Sequence, residues 1–192
     1  MKLFFCDVET TGINPVSNAI TQFSGILEID GEYVDQIDIH LQPHEGADIE
    51  DQALEVQGIT RESLKHPDRL SPEQAYNRIK TILDHHIDKY QKTDKLFFIG
   101  YNCLSFDMPF TRKLFERNGD NYFGSWFWFP GIDVMAIAAA GLMDRRHKIK
   151  NFKLATVCEA YGIQVDPARI HDSMYDIEIT RQLYDKIMHR ES

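Results

Sequence analysis

The dipeptide Asp30-Gly31 constrains the fold most, because it lies between two stretches with the character of β-strands. Residues 19–30 include an alternating apolar stretch, and residues 33–41 form the partner. An Asp-Gly pair between two such runs is typical of a tight hairpin turn. The sequence therefore predicts an antiparallel hairpin near the N-terminus. The apolar positions of its second strand are Val34, Ile37, Ile39 and Leu41.

The rest of the chain alternates between short apolar runs and helical patterns. Residues 2–8 and 96–100 are apolar enough for buried strands. Three early strands followed by alternating helices and single strands predict an α/β fold, a mixed sheet with helices on both faces. The predicted helical regions are residues 50–65 (short helices), 71–90, 106–118, 133–143, 151–161 and 172–189.

Composition limits the class of protein. A length of 192 residues fits one domain, residues 1–192, and a net charge of −9 argues against a protein that coats nucleic acid non-specifically. The apolar N-terminal run is too short for a signal peptide, and no stretch is long enough to cross a membrane. Three scattered cysteines, Cys6, Cys103 and Cys158, are typical of reduced thiols. We therefore expect a cytoplasmic protein. A nucleic-acid enzyme with this charge would have to grip only a few nucleotides or gain affinity through a partner.

Two acids end the first predicted strand, in the segment Asp7-Val8-Glu9. Strand alternation puts Asp7 and Glu9 on one face and Val8 on the other. Two carboxylates beside a buried strand repel each other, and a hard divalent cation such as Mg²⁺ removes that repulsion. The alternative is a solvated strand end before a turn, although the apolar residues upstream weaken it.

Two further polar segments stand at the starts of predicted helices. Asn102 to Asp107 follows the apolar run 96–100, and His171 to Asp176 opens the last helix. Considered singly, each acid has a plain alternative, because a carboxylate in the first turn of a helix is favoured by the helix dipole. Asp172 or Ser173 could likewise cap the last helix and leave His171 as an ordinary surface residue.

Taken together, D-x-E, N-x₃-F-D and H-x₄-D in this order resemble the motifs of the DEDDh (DnaQ-like) 3′–5′ exonuclease family, within the ribonuclease H-like superfamily. The segments 53–60 and 151–154 also resemble that family, so the likeness covers nearly the whole chain. Asn102 and Phe106 are separated by three residues where many members have two, and Tyr101 stands where many have His. These departures leave the choice between DNA and RNA open.

The resemblance implies a five-stranded, three-layer α/β/α domain and a phosphodiester hydrolase that uses two Mg²⁺ ions, for which Mn²⁺ can substitute. It implies that Asp7 bridges the ions, that Glu9 and Asp176 hold the ion that activates water, and that Asp107 serves the other. His171 is the implied general base. Two cations about 4 Å apart can stabilise both the attacking and the leaving oxygen at phosphorus.

The resemblance also implies contacts with the end of the substrate strand. Thr10, Thr11 and Gly12 are expected at the terminal sugar, and Leu54 and Gln57 at the last nucleotide. Core packing is an equal alternative for Leu54. Residues 145–153 form the one dense basic stretch, placed in a loop and suited to phosphates, although a solvated loop is the plain alternative. The remaining residues expected at the substrate are Asn102, Phe106, Lys148 and Lys150.

The stretch 122–129 is unusually aromatic. Core packing is the favoured interpretation, ahead of base stacking or a surface for a partner.

We expect an enzyme that hydrolyses single-stranded DNA from its 3′ end and releases nucleoside monophosphates. The alternatives are an exoribonuclease of the same family, and a proofreading or accessory subunit that acts mainly through a polymerase or another protein. The sequence leaves the oligomeric state open.

Overall fold

A five-stranded mixed sheet forms the centre of the protein in the computed structural model, which describes residues 1–189. The strands are β1 (Lys2–Thr10), β2 (Ile20–Ile29), β3 (Glu32–His40), β4 (Phe97–Gly100) and β5 (Ile132–Asp133). Their order across the sheet is β3-β2-β1-β4-β5. The first three are antiparallel, whereas β4 runs parallel to β1 and β5 runs parallel to β4.

The predicted hairpin is confirmed as β2 and β3. Asp30 and Gly31 form its turn with φ angles of 53° and 90°. Both angles lie in the left-handed region that the favoured two-residue hairpin turn requires, and Asp and Gly are among the residues that adopt it most readily. The Asp-Gly pair therefore sets where the chain reverses.

Helices cover both faces of the sheet. Strand β1 is buried on both faces of the sheet. Its consecutive residues Phe4 and Phe5 are 1% and 0% exposed and belong to different apolar clusters. This confirms the predicted three-layer α/β/α arrangement. The helices of the described residues are α1 (Asp51–Val56), α2 (Pro72–His86), α3 (Asp107–Arg117), α4 (Phe123–Trp126), α5 (Val134–Gly141), α6 (Leu154–Ala160) and α7 (Ser173–Ile187), with 3₁₀ turns at Ser63–Lys65 and Met143–Lys148.

Helix α2 and the fifth strand differ from the sequence-based expectation. Helix α2 ends at His86 rather than near residue 90, because residues 88–94 form a turn in which Asp94 accepts hydrogen bonds from Asp88 N and Lys2 Nζ. The fifth strand has only two residues, too few for a period-two pattern to mark it. None of the described helices combines the length and apolar character needed to cross a membrane.

Candidate active site

The carboxylate of Asp107 reaches the outer half of β1. Strand β4 pairs with β1 only along Leu3–Phe5, which leaves the later backbone groups of β1 without a strand partner on that edge. The N–H of Val8 donates to Asp107 Oδ1 over 2.9 Å, and Asp107 is 2% exposed. Since this carboxylate bonds to β1, and the residue before it makes no side-chain cap, helix capping does not explain Asp107.

The start of α7 brings Asp176 into the same region. Asp172 caps this helix by accepting from the N–H groups of Met174 and Tyr175, so the predicted cap is present. The N–H of His171 donates to Asp176 Oδ2 over 3.3 Å, while Asp176 Oδ1 is buried and has no hydrogen-bond partner among the described residues. His171 is exposed and has a φ of 72°, a conformation that a non-glycine residue seldom adopts.

The four predicted carboxylates share one electrostatic environment. Burial, and then the charges of Asp107, Glu9 and Asp176, raise the pKa of Asp7 well above its usual value. Burial, and then the charges of Asp176 and Asp107, raise the pKa of Glu9 to about 8. Burial also raises the pKa of Asp107 to about 7 and that of Asp176 to about 6. Asp107 and Asp176 therefore lie close enough to the end of β1 for their charges to act on both Asp7 and Glu9.

These carboxylates fit a divalent cation in their chemistry. Carboxyl oxygens crowded in a largely buried region, with the buried Oδ1 of Asp176 unpartnered, are the donors that hard cations prefer. Within residues 1–189, no three His, Cys, Asp or Glu side chains form a ready-made ligand cluster. The backbone groups the acids, and rotation of their side chains is needed to close them around an ion.

The raised pKa values predict that stability without metal falls as pH rises. An acid whose folded-state pKa lies above its unfolded value stabilises the fold less as pH climbs through the folded value. For Asp176, Asp107 and Glu9 that window runs from about 4 to about 8. We expect the melting temperature in EDTA to drop by about 4–8 °C between about pH 5.5 and about pH 8.5, for a loss of about 2 kcal/mol.

Thermal denaturation in EDTA across this range measures the effect, with Glu9→Gln as the comparison because Glu9 has the highest pKa of these three acids. The variant should show a flatter decline. A melting temperature that rises with pH in the wild type would contradict the described crowding of the acids.

The polar groups of Thr10 and Thr11 are largely used within the protein. Thr10 Oγ1 donates to the carbonyl of Gly12, and Thr11 Oγ1 donates to the carbonyl of Asp48. A Cβ atom at Gly12 would lie 2.2 Å from Glu50 Oε1, so this glycine permits close packing of the protein's own side chains. These residues shape the loop after β1, and their hydroxyls are committed to it.

Leu54 and Gln57 also serve the fold. Leu54 is 3% exposed, which agrees with the core-packing alternative. Gln57 donates to the carbonyls of Thr10 and Ala53 over 2.7 and 2.9 Å, and it accepts from Thr21 Oγ1 over 2.6 Å. Gln57 therefore fastens α1 to the end of β1.

The loop after β4 is held in place by Asp133, which the sequence analysis did not identify. Asn102 has a φ of 62°, and its N–H donates to Asp133 Oδ1 over 3.0 Å. Asp133 also caps α5 by accepting from Met135 N, and an Asp before a helical run is a recognisable cap signal. Phe106 is half-buried and packs on Phe110 with ring centroids 5.0 Å apart.

The basic stretch begins in a 3₁₀ helix, Met143–Lys148, and its remaining residues 149–153 lie in the loop before α6, so the loop prediction is wrong only for the first part. The side chains of Lys148 and Lys150 are exposed. Tyr101 Oη donates to the carbonyl of Phe152 over 2.7 Å, which ties this segment to the residue that follows β4. The helix after it begins at Leu154, three residues later than expected.

The aromatic stretch divides into core and surface. Phe123, Trp126 and Phe127 are at most 3% exposed, as the core interpretation predicts. Tyr122 and Phe129 are 76% and 79% exposed, and the core interpretation is wrong for these two.

The chain is similar to several known nucleic-acid enzymes. Ribonuclease T of Shewanella denitrificans is 29% identical over 199 residues, which cover 96% of this chain and 79% of that protein. The PolC-type DNA polymerase III of Halalkalibacterium halodurans is 27% identical over 177 residues, 92% of this chain but 11% of that polymerase. Exonuclease I of E. coli, solved with a dT13 oligonucleotide, superposes with a TM-score of 0.78 and 22% identity, a likeness of fold that covers 98% of this chain and 41% of that one.

The family model described as RNase_T, exonuclease, matches residues 4–184, nearly the whole described chain. Enzymes of this DnaQ-like group use divalent metal ions, which suits the four acids at the end of β1. The chain therefore belongs to the RNase_T family of exonucleases, and the predicted DEDDh-type 3′–5′ exonuclease is confirmed.

Proposed function

We propose that this chain, as a single domain, removes nucleotides one at a time from the 3′ end of single-stranded DNA, using Mg²⁺. In this proposal Asp7, Glu9, Asp107 and Asp176 hold the metal, and His171 is the general base. The observation that carries it is that Asp107 and Asp176, from two separate helices, lie close enough to Asp7 and Glu9 of β1 for their charges to raise the pKa of both. The single-stranded oligonucleotide in exonuclease I supports the choice of substrate form.

Each side chain has a definite task in this site. Divalent cations, when bound, stabilise the attacking and the leaving oxygen of a displacement at phosphorus. Val8 N–H holds the carboxylate of Asp107, and His171 N–H holds that of Asp176. The exposed ring of His171 is free to approach the attacking water and take its proton, which it can do only when neutral.

The terminal sugar would be recognised mainly through the shape of the loop after β1. Since the hydroxyls of Thr10 and Thr11 bond within the protein, the loop from Thr10 to Gly12 offers a rigid wall rather than free hydroxyl groups. Gln57 supports this wall from behind by donating to the carbonyl of Thr10. The rigid loop would admit a chain end to the acids, and Phe106 and Asn102 would line the opposite side.

The exposed basic side chains Lys148 and Lys150 would bind phosphates of the strand upstream of the cut bond. We expect Lys148→Ala with Lys150→Ala to raise KM for an oligonucleotide by about tenfold and to leave kcat unchanged, because these residues do not touch the reacting phosphate. The dependence of log KM on log salt concentration should fall by roughly 1.4, as expected for two lost phosphate contacts to a single strand.

Steady-state kinetics over a salt series measures this, with Lys92→Ala as the control, since Lys92 is exposed in the turn between α2 and β4. An unchanged KM in the double variant would show that Lys148 and Lys150 do not contact the strand.

The test of the proposed function is a panel of matched DNA and RNA oligomers labelled at the 5′ end. A ladder shortened from the 3′ end, stopped by a 3′-terminal block and indifferent to a 5′ block, is the expected result. Cleavage of a closed single-stranded circle would refute exonuclease action.

A second candidate is RNA as the substrate, which the similarity to ribonuclease T favours. Faster digestion of the RNA oligomer under the same conditions would select it.

A role as an accessory subunit is favoured by the polymerase match, where the similar region is 11% of a larger protein. Strong activity of the purified chain alone would reject a need for such a partner.

A further inference from the structure

Two buried hydroxyl groups join α7 to the sheet. The Oγ atoms of Ser24 on β2 and Ser173 at the start of α7 lie within hydrogen-bonding distance, and both residues are 0% exposed. The hydroxyl of Ser24 donates to Asp38 Oδ1 on β3 over 2.9 Å. Because that proton is used, Ser173 must donate to Ser24. The hydrogen bonds therefore run in one direction, from α7 through β2 to the carboxylate of Asp38.

This contact sits beside the proposed metal ligands. Ser24 is the direct cross-strand neighbour of Asp7, and opposed residues of an antiparallel pair lie on the same face of the sheet. Ser173 is three residues before Asp176, in the same turn of α7. The Ser24–Ser173 contact is thus a short polar link between the strand pair that carries Asp7 and the helix that carries Asp176.

A second polar contact lies further along the same two elements. Arg181 Nε of α7 donates to Glu28 Oε2 of β2 over 3.0 Å, and Glu28 is 1% exposed. Ser173 and Arg181 are separated by about 12 Å along the helix axis, at about 1.5 Å per residue. Ser24 and Glu28 are separated by about 13 Å along the strand, at about 3.3 Å per residue. The spacings match, so both contacts can form in only one register of α7 on β2.

Apolar packing alone does not fix that register. Between the two polar contacts lie Ile26 and Ile177, both in the same apolar cluster, and aliphatic contacts tolerate small shifts. A shift by one residue moves a helix by about 1.5 Å and turns it by about 100°. Such a shift would separate the buried Ser173 hydroxyl from Ser24, at a cost of about 1–3 kcal/mol for an unpaired buried group, whereas Ser24 would keep its bond to Asp38.

We propose that Ser24 and Ser173 are positioning residues that set Asp176 at the distance from Asp7 needed to share a metal site. Metal–ligand distances are tolerated only within about 0.2 Å, so a small displacement of α7 would weaken binding. This inference rests on the proposed function, because it assumes that Asp7 and Asp176 hold the cation.

The test compares Ser24→Ala, Ser173→Ala and the double variant by calorimetric titration with Mn²⁺. We expect each single change to raise the half-saturating metal concentration by roughly tenfold, the scale seen for groups that orient metal ligands. The double variant should be no weaker than the singles, because either change breaks the same contact. Ser173→Cys serves as a second variant that keeps the side-chain volume close to that of serine.

Ile179→Val is the matched control for stability. Ile179 is 1% exposed on α7, and this change removes one buried methyl group at a cost of about 0.5–1.5 kcal/mol without touching a polar side chain. It should lower the melting temperature and leave metal affinity unchanged.

The outcomes separate the two proposals. Wild-type metal affinity in the serine variants, with only a lower melting temperature, would make the contact purely structural and overturn the inference while leaving the proposed function intact. A wild-type protein that binds no Mn²⁺ would overturn the proposed function, and the inference with it.

Discussion

Asp7→Asn is expected to reduce exonuclease activity by about 10³-fold or more while raising the melting temperature of the metal-free protein. Asp7 is the acid most surrounded by the others, since Asp107, Glu9 and Asp176 all raise its pKa. Replacing it with a neutral residue of the same shape removes a metal ligand, and a loss of about 4 kcal/mol of transition-state stabilisation corresponds to that rate change. The same change relieves repulsion within the cleft.

The expected gain in stability without metal is about 2–4 °C, for about 1 kcal/mol of relieved repulsion in a protein of this size. Activity on a 5′-labelled oligomer and thermal denaturation in EDTA measure the two effects. Asp68→Asn is the control, because that side chain is 88% exposed and lies outside the cleft. In the wild type, Mg²⁺ should raise the melting temperature, and in Asp7→Asn this increase should be lost.

A fall in activity together with a rise in melting temperature distinguishes a metal ligand from an acid that mainly supports the fold. An acid that mainly supports the fold would lose both together when it is changed. Full activity in Asp7→Asn would reject the metal assignment, and a marked fall in its melting temperature in EDTA would contradict the repulsion of Asp7 by Asp107, Glu9 and Asp176.

The sequence predicted the strand acids because the physics involved is local. Alternation along an apolar strand is enough to put Asp7 and Glu9 on one side, and the Asp-Gly pair is enough to place the hairpin next to them. Asp107 and Asp176 were identified only through the resemblance to a family, because no local pattern brings residues 99 positions or more apart into contact. In the structure, the short pairing of β4 leaves the N–H of Val8 to bond with Asp107, and the start of α7 brings Asp176 near the same strand.

What could not be predicted depends on hydrogen bonds between distant segments. Thr10 and Thr11 have the composition of a binding loop, yet their hydroxyls bond to Gly12 and Asp48. The partner of the Ser24 hydroxyl lies 149 residues away, so no window along the chain reveals it. The end of α2 likewise depends on Lys2, which bonds to Asp94 although it lies 92 residues before it in the sequence.

Replacing His171 should cost activity without costing metal affinity or stability. A general base contributes about 10²–10⁴-fold to a rate, so a variant without the ring should lose activity on that scale. His171 has a φ of 72°, which alanine adopts poorly, and His171→Ala would therefore disturb the loop as well as remove the ring. His171→Gly avoids this, because glycine adopts positive φ without strain and keeps the N–H that donates to Asp176.

His171→Asn provides the matched comparison, since asparagine tolerates the left-handed region and keeps a side chain of moderate size. If the ring is the base, both variants should lose activity equally, retain the wild-type half-saturating Mn²⁺ concentration, and regain part of the rate when imidazole is added. If the backbone conformation at this position were the important feature, both variants would remain active because both permit it. Equal loss with restoration by imidazole therefore assigns the proton transfer to the ring, and retained activity in His171→Gly would move the general base elsewhere in the cleft.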